Sequence, residues 1–170
     1  MDKDRVDLIL EQWRRERPDL DTSTMGVIGR IYRVSTLLGQ SHTEVFARFG
    51  LDRGEFDVLA TLRRSGAPFR LSPTQLFRSL MMSSGGMTNR LDRLERAGLA
   101  RRVPDPRDRR SVQVELTDHG LKTVDEAVAA HVENQHRLLA SMPAADRDAV
   151  AALLRRLLLA LEGGPEDEGG

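Results

Sequence analysis

The residues best suited to chemistry in this 170-residue chain are arginines concentrated in its middle. Residues 63–110 contain twelve arginines against four acidic residues, and so carry a net charge of +8. The other segments hold the remaining 14 basic and 22 acidic residues, which brings the whole chain to zero. Such segregation of charge within one chain favours a polyanion-binding module flanked by an acidic surface. Chance clustering of surface arginines is the alternative that composition leaves open.

Residue types that carry catalysis or hold metals are scarce. The chain has no cysteine, which excludes disulfides, thiolate nucleophiles and cysteine-ligated metals. Its four histidines are scattered (His42, His119, His131 and His136), and neither a phosphate-binding P-loop motif nor an H-E-x-x-H motif occurs. We therefore expect no enzyme activity, no metal and no cofactor. Since no apolar run approaches roughly 18 residues and the N-terminus does not resemble a signal peptide, we expect a soluble cytoplasmic protein with no membrane partner.

The elements that must position the arginines follow from hydrophobic periodicity and capping signals. Helices are predicted over residues 2–17, 22–49, 52–64, 72–80, 117–141 and 143–161, with a further helix from Ser83 or Ser84 to Ala97. Alternating residues at 99–103 and 112–116 predict two strands of a hairpin around the charged loop 104–111. The last helix is apolar on most of its sides, which indicates that it packs against a partner subunit.

Two short helices followed by a hairpin predict a mainly α fold with a small β-hairpin. This order is that of a winged helix-turn-helix, here with a helical dimerisation region. We assign residues 1–50 to N-terminal helices, and residues 51–117 to the DNA-binding lobe. Residues 118–162 are assigned to C-terminal dimerisation helices, and residues 163–170 to an acidic, glycine-rich tail that we expect to be disordered.

The helix beginning near Ser83 has the length and N-terminal character to enter a major groove. Ser84, Gly85, Thr88 and Asn89 are small enough to approach base edges, whereas Arg90, Arg93 and Arg96 suit phosphates or buttressing. Arginines of the hairpin loop could enter a narrow minor groove. The predicted DNA-binding residues are Ser72, Thr74, Gln75, Ser83, Ser84, Gly85, Thr88, Asn89, Arg90, Arg93, Arg107, Asp108, Arg109 and Arg110.

At these residues the sequence resembles the MarR (multiple antibiotic resistance regulator) family of bacterial transcription factors. The family pattern D-x-R-x-x-x-V-x-L-T is matched by Asp108, Arg110, Val114, Leu116 and Thr117, and is followed by Gly120. The segment from Leu91 to Leu99 also resembles the family. One departure is Gly85-Gly86, where members often carry Ser or Thr; the glycines could permit close backbone approach to DNA or make the first helical turn mobile.

The resemblance implies a homodimer in which the first long helix and the last two helices intertwine. It also implies that the N-terminal helices of residues 1–50 serve dimerisation and form a ligand-pocket lid. Two winged lobes would then bind a pseudo-palindromic double-stranded operator, with half-sites about 34 Å apart. The resemblance also implies a regulator, which we expect to be a repressor released by a small ligand. A non-sequence-specific architectural DNA-binding protein and a helical adaptor for another protein are the alternatives that remain.

The additional N-terminal helix resembles a subgroup that responds to urate and related small anions. In that subgroup a Trp, an Asp and a strand Arg respond to the ligand, which implies binding roles here for Trp13, Asp57, Arg64 and Arg102. Each residue has an alternative role that involves no ligand. Trp13 would staple the first helix to the core, Asp57 would pair with Arg64, and Arg102 would contact a phosphate. Urate, a purine derivative, an aromatic acid and a tricarboxylate all remain open as the anionic effector.

His42 lies on the helix that we expect to cross the dimer axis, where two copies could meet. Paired imidazoles there would repel each other when protonated, near a pKa of about 6.5, so His42 is a candidate pH switch. A solvated helix histidine is the alternative, and His131 and His136 are expected at the surface.

Overall fold

A computed structural model describes residues 2–80, 86–105, 108 and 111–163. Seven helices occur in this part of the chain: α1 (Arg5–Glu16), α2 (Ser23–Ala47), α3 (Arg53–Arg64), α4 (Pro73–Ser79), α5 (Met87–Arg96), α6 (Asp118–Leu138) and α7 (Ala144–Glu162). Three strands accompany them: β1 (Arg70–Leu71), β2 (Ala100–Pro104) and β3 (Val112–Leu116). None of the described helices is both long and apolar enough to span a membrane.

The strands form an antiparallel sheet in the order β1-β3-β2, and β2 and β3 are the predicted hairpin. Helices α4 and α5 precede the hairpin, which confirms the predicted winged helix-turn-helix in a mainly helical chain. The two-residue strand β1 was not predicted; Arg70 pairs with Glu115 and Leu71 with Val114. A strand of two residues is too short for an alternating pattern, so only pairing with β3 defines it.

The chain divides into two compact units, residues 1–131 and residues 132–170. The hydrophobic core of the first unit joins α3, α4, α5 and the hairpin, with Val58, Leu59, Leu62 and Leu76 fully buried. The second unit contains the end of α6 and all of α7. None of the α7 residues is buried. The functional division at residues 50 and 117 remains a prediction.

The predicted start of the second short helix is wrong. Helix α5 begins at Met87, and Gly86 is its N-cap with φ of +76°, a left-handed conformation that favours glycine. A continuous helix from Ser83 or Ser84 would require Gly86 to be helical. Residues 81–85, which include Ser83, Ser84 and Gly85, lie outside the described residues.

Candidate nucleic-acid interface

Helix α5 is anchored on one side and exposed at its N-terminal end. Leu91 and Leu94 are buried in the core, whereas Thr88 and Asn89 are exposed. Their short polar side chains therefore project from the first turn, the end of a helix that favours negatively charged partners. This geometry permits α5 to present hydrogen-bonding groups to a base edge.

The start of α4 is fixed by a reciprocal cap. The Ser72 hydroxyl accepts a hydrogen bond from Gln75 N (3.2 Å), and the Gln75 side-chain oxygen accepts one from Ser72 N (3.0 Å). This is a capping box, and it commits the Ser72 and Gln75 side chains to ordering the helix. Thr74, the other predicted contact on α4, is exposed.

Much of the arginine excess is neutralised within the fold. Six of the arginines between residues 63 and 102 form ion pairs: Arg63 with Asp125, Arg64 with Asp57, Arg70 and Arg101 with Glu115, Arg93 with Asp52 and Glu55, and Arg102 with Asp92 and Glu95. Most of these acids lie outside residues 63–110. The net charge counted along the sequence therefore exceeds the positive charge that the folded lobe offers to a polyanion.

Arg93 ties α5 to the first turn of α3. Its Nε donates to Glu55 Oε1 at 2.8 Å, and its Nη2 donates to Asp52. Glu55 is only 8% exposed, and it also closes the α3 capping box with Asp52. The buttressing alternative for Arg93 thus matches the geometry, because its guanidinium bonds two carboxylates of the neighbouring helix.

Arg102 on β2 holds the C-terminal half of α5. Its guanidinium donates to Asp92 Oδ1 at 2.5 Å and to Glu95, and its backbone N–H donates to Glu95 Oε1 at 3.1 Å. These bonds hold the pKa of the Glu95 carboxyl below its ordinary value, with the backbone N–H as the largest cause. The hairpin and α5 are therefore coupled through one side chain.

Glu115 fixes the base of the hairpin. Its side chain is buried on β3 and accepts from Arg70 Nε at 2.5 Å and from Arg101 Nε at 2.6 Å, which joins all three strands. Burial by itself would raise the pKa of Glu115, but the bonds from Arg101 and Arg70 outweigh it, and the pKa lies below its ordinary value. Arg101 remains largely exposed.

Among the predicted contacts of the hairpin loop, Asp108 is the described one. The Ser111 hydroxyl donates to Asp108 Oδ2 at 2.8 Å, and Gln113 Nε2 donates to Asp105 Oδ2 at 2.6 Å. Both carboxylates thereby bond side chains at the start of β3. Arg107, Arg109 and Arg110 lie outside the described residues.

The structure brings some of the predicted ligand residues together. The Arg64 Nη1 lies 4.0 Å from Asp57 Oδ1, so these two residues pair along one side of α3. Asp57 is buried. Trp13 is 42% exposed on α1, and among the described residues its indole has no hydrogen bond or ring contact. Arg102 is instead held by α5, as described above.

An apolar cavity of 340 Å³ lies where α1 meets α2. Its walls carry no charged residue, and Trp13 does not line it. The lining residues are Val6, Ile9, Leu10, Thr24, Met25, Ile28, Gly29 and Tyr32. A small anion would find no cationic group here, so this cavity does not match the predicted ligand pocket.

His42 has an imidazole partner within its own chain. Its ring centroid lies 4.6 Å from that of His131, and His131 also contacts Phe46 and Phe56. The predicted surface position of His131 is therefore wrong, because its ring is packed among aromatic rings. Burial lowers the pKa of both histidines. The charge of Arg53 lowers the pKa of His42 further, and the neighbouring His42 lowers the pKa of His131 further.

Sequence reasoning missed the acidic partners that hold α5 and the hairpin. The Asp52-x-x-Glu55 spacing is a visible capping-box signal, but nothing in it indicates that Arg93 will bind both carboxylates. Gly54, which lies between them, and Glu115 carried no signal that sequence periodicity could detect.

Comparison with known proteins gives the family. The MarR family model matches residues 49–111. The HTH-type transcriptional regulator PecS of Dickeya dadantii (strain 3937) is 46% identical over 149 residues, covering 88% of this chain and 90% of PecS.

Solved structures agree on the fold. AbsC, a MarR family transcriptional regulator from Streptomyces coelicolor, has a TM-score of 0.72 at 25% identity, covering 85% of this chain and 98% of AbsC. A mutant MarR from E. coli complexed with operator DNA has a TM-score of 0.68 at 24% identity, covering 86% and 97%. These relatives are regulators and not enzymes, in agreement with the expected lack of a catalytic site. The chain belongs to the MarR family of DNA-binding transcription regulators.

Proposed function

We propose that this protein is a homodimeric, sequence-specific repressor that a small anion releases from a pseudo-palindromic operator. The observation that carries the proposal is the exposure of Thr88 and Asn89 at one end of α5, while Leu91 and Leu94 anchor its other side. Short polar side chains at the N-terminal end of such a helix can discriminate base edges. Phosphate contacts alone would leave the protein an architectural DNA binder.

To test base reading, a duplex that binds the wild-type protein is first selected from a random pool. Footprinting then maps which of its bases the protein protects. Thr88→Ala and Asn89→Ala should each weaken binding to the selected duplex about tenfold and leave a scrambled duplex unaffected. Thr43→Ala, which removes an exposed hydroxyl from α2, is the matched control. Uniform protection without a palindrome would favour the architectural alternative.

The hairpin loop is proposed to contact the DNA backbone or a minor groove through Arg107, Arg109 and Arg110. Arg109→Ala should weaken binding to every duplex alike and reduce the slope of log affinity against log salt by about 1.8, because the homodimer loses one phosphate contact in each half-site. An unchanged slope would exclude a phosphate contact. Repression itself is tested with a reporter gene placed behind the selected duplex, whose expression should rise when the regulator is deleted.

The apolar surface of α7 supports the homodimer. Leu153, Leu158, Leu159 and Leu161 are all more than half exposed in the single chain. Surface of this kind is stable in water only when a partner covers it. Sedimentation analysis should show a dimer for the wild type, a monomer for Leu158→Glu, and a dimer for the control Arg155→Glu. A monomeric wild type would refute the proposal.

Arg102 supports coupling between an anion and α5. A negatively charged ligand at Arg102 would compete with Asp92 and Glu95 for the same guanidinium, and so release the C-terminal half of the reading helix. Trp13 would supply a stacking surface, and the Asp57–Arg64 pair a second charged contact. The effector is proposed to belong to the urate, purine-like, aromatic acid or tricarboxylate class.

Thermal-shift measurements with urate, salicylate and trans-aconitate test the ligand site. One of these anions should raise the melting temperature and lower affinity for the selected duplex. Trp13→Ala and Arg102→Ala should each abolish both effects, whereas Arg96→Ala, on the exposed side of α5, should retain them. If no anion changes either quantity, the proposed effector class is wrong.

His42 is proposed as a pH-responsive residue through its contact with His131. Protonation of both rings would place two positive charges on packed groups, beside the additional charge of Arg53. Operator binding should therefore weaken as the pH falls from 8 to 5.5, and His42→Gln should flatten this dependence. A flat curve for the wild type would exclude the switch.

A further inference from the structure

Gly54 occupies a position in α3 where glycine is otherwise unfavourable. It is buried in the first turn of the helix, between Arg53 and Glu55, and has ordinary helical backbone. Alanine at such a position has a higher helix propensity. The reason for glycine must therefore lie in what packs against its Cα atom.

The guanidinium of Arg90 fills the space that a side chain would need. A Cβ atom at residue 54 would lie 2.5 Å from Arg90 Nη2 and closer still to Nε and Cζ. Real Cβ atoms do not approach other atoms this closely, so the Arg90 head group can lie on α3 only because residue 54 is glycine. Arg90 is half-buried, in keeping with this position.

Arg90 and Arg93 hold the same turn of α3 from successive turns of α5. They are three residues apart and so lie on one side of the helix. Arg93 bonds Asp52 and Glu55, and Arg90 covers the glycine between these two acids. Thr88 and Asn89 directly precede Arg90, so this contact sets where the exposed N-terminal turn of α5 lies relative to the lobe.

We propose that Gly54 and Arg90 are a positioning pair that determines sequence specificity, with Arg90 acting on α5 rather than on DNA. The inference rests on the proposed reading of bases by Thr88 and Asn89. A methyl group at residue 54 displaces Arg90, whose head group can leave because it is the end of a flexible side chain. Loss of that contact shifts the reading side chains while the fold is retained.

The test compares Gly54→Ala, Arg90→Ala and the double variant on the selected duplex and on a scrambled duplex of the same composition. Gly54→Ala should bind the selected duplex about tenfold more weakly, the scale of one misplaced base contact, and bind the scrambled duplex as the wild type does. Its melting temperature should equal or exceed that of the wild type. A purely structural role for glycine predicts a lower melting temperature with unchanged discrimination.

The double variant should lose no more discrimination than Arg90→Ala alone, because both changes remove the same contact. Arg90→Ala should leave the salt slope unchanged, and this measurement does not depend on whether Gly54→Ala folds. A slope reduced by about 1.8, one phosphate contact for each protomer, with equal losses on both duplexes, would show that Arg90 binds phosphate and would overturn the proposal. Wild-type discrimination by Gly54→Ala, or additive losses in the double variant, would also overturn it.

Thr88→Ala, measured in parallel, distinguishes a failure of the positioning pair from a failure of base reading by α5. If Thr88→Ala lowers discrimination and Gly54→Ala does not, the positioning pair is refuted and base reading by α5 stands. If both variants discriminate as the wild type does, base reading by α5 fails, and the positioning pair fails with it.

Discussion

Replacing Gly120 by alanine is expected to destabilise the DNA-binding lobe strongly. Gly120 is buried in the first turn of α6, where its N–H donates to Thr117 Oγ1 at 2.9 Å. A Cβ atom there would lie 2.7 Å from the carbonyl carbon of Leu99, 3.1 Å from its Cα, and closer still to its oxygen. These are backbone atoms at the start of the hairpin, so they cannot rotate away as the Arg90 side chain can.

The size of the effect follows from three contributions. Overpacking against rigid backbone costs up to about 3 kcal/mol. Displacing Leu99 also breaks the bond from Thr117 N to its carbonyl, which is 3.2 Å long, at a cost of about 1 kcal/mol. Alanine returns about 1 kcal/mol through its higher helix propensity. The free energy of unfolding should therefore fall by about 3 kcal/mol.

Urea denaturation followed by circular dichroism measures this change. With a slope of about 2 kcal/mol per molar urea, the midpoint should move down by about 1.5 M at a fixed protein concentration. Gly54→Ala is the matched control, because it adds the same methyl group to the first turn of another helix but meets a mobile side chain. A Gly120→Ala midpoint equal to that of the wild type would refute the packing argument.

Three further changes test other parts of the structure. Thr61→Val should raise the free energy of unfolding by about 1 kcal/mol, because the buried hydroxyl has no hydrogen-bond partner among the described residues; an unchanged urea midpoint would contradict this. Glu115→Gln should lower that free energy by about 2 kcal/mol, since it leaves two arginines without their shared carboxylate and one of them is exposed to water. Glu126→Gln, the same change at an exposed carboxylate of α6, is its control. Because burial lowers the pKa of His42 and of its neighbour His131, the unfolded chain binds protons first, and stability should fall as the pH drops below about 6.5. Thermal melts of His42→Gln should show a weaker pH dependence than those of the exposed control His136→Gln, and equal dependences would refute the assignment.

Local sequence signals predicted most of the elements. The predicted helix starts at residues 52 and 72 and the alternation in the two hairpin strands each depend on residues a few positions apart, and the structure confirms them. Strand β1 escaped prediction because its two residues become a strand only by pairing with β3, more than forty positions away. The start of α5 was misjudged because a serine that could cap a helix does not reveal the left-handed backbone of Gly86.

The order of the elements, the arginine-rich lobe and the family resemblance could all be predicted from the sequence, because each depends on composition or on short-range spacing. The partners of those arginines could not be predicted in this way, because they are distant in the sequence. Arg93 finds its carboxylates 38 and 41 positions away, and Arg70 finds Glu115 at 45. Ion pairing and steric fit depend on distances between side chains in space. The tertiary fold sets these distances, and spacing along the sequence does not reveal them. For the same reason, the sequence did not reveal that the His42 ring contacts His131 or that Arg90 packs against Gly54.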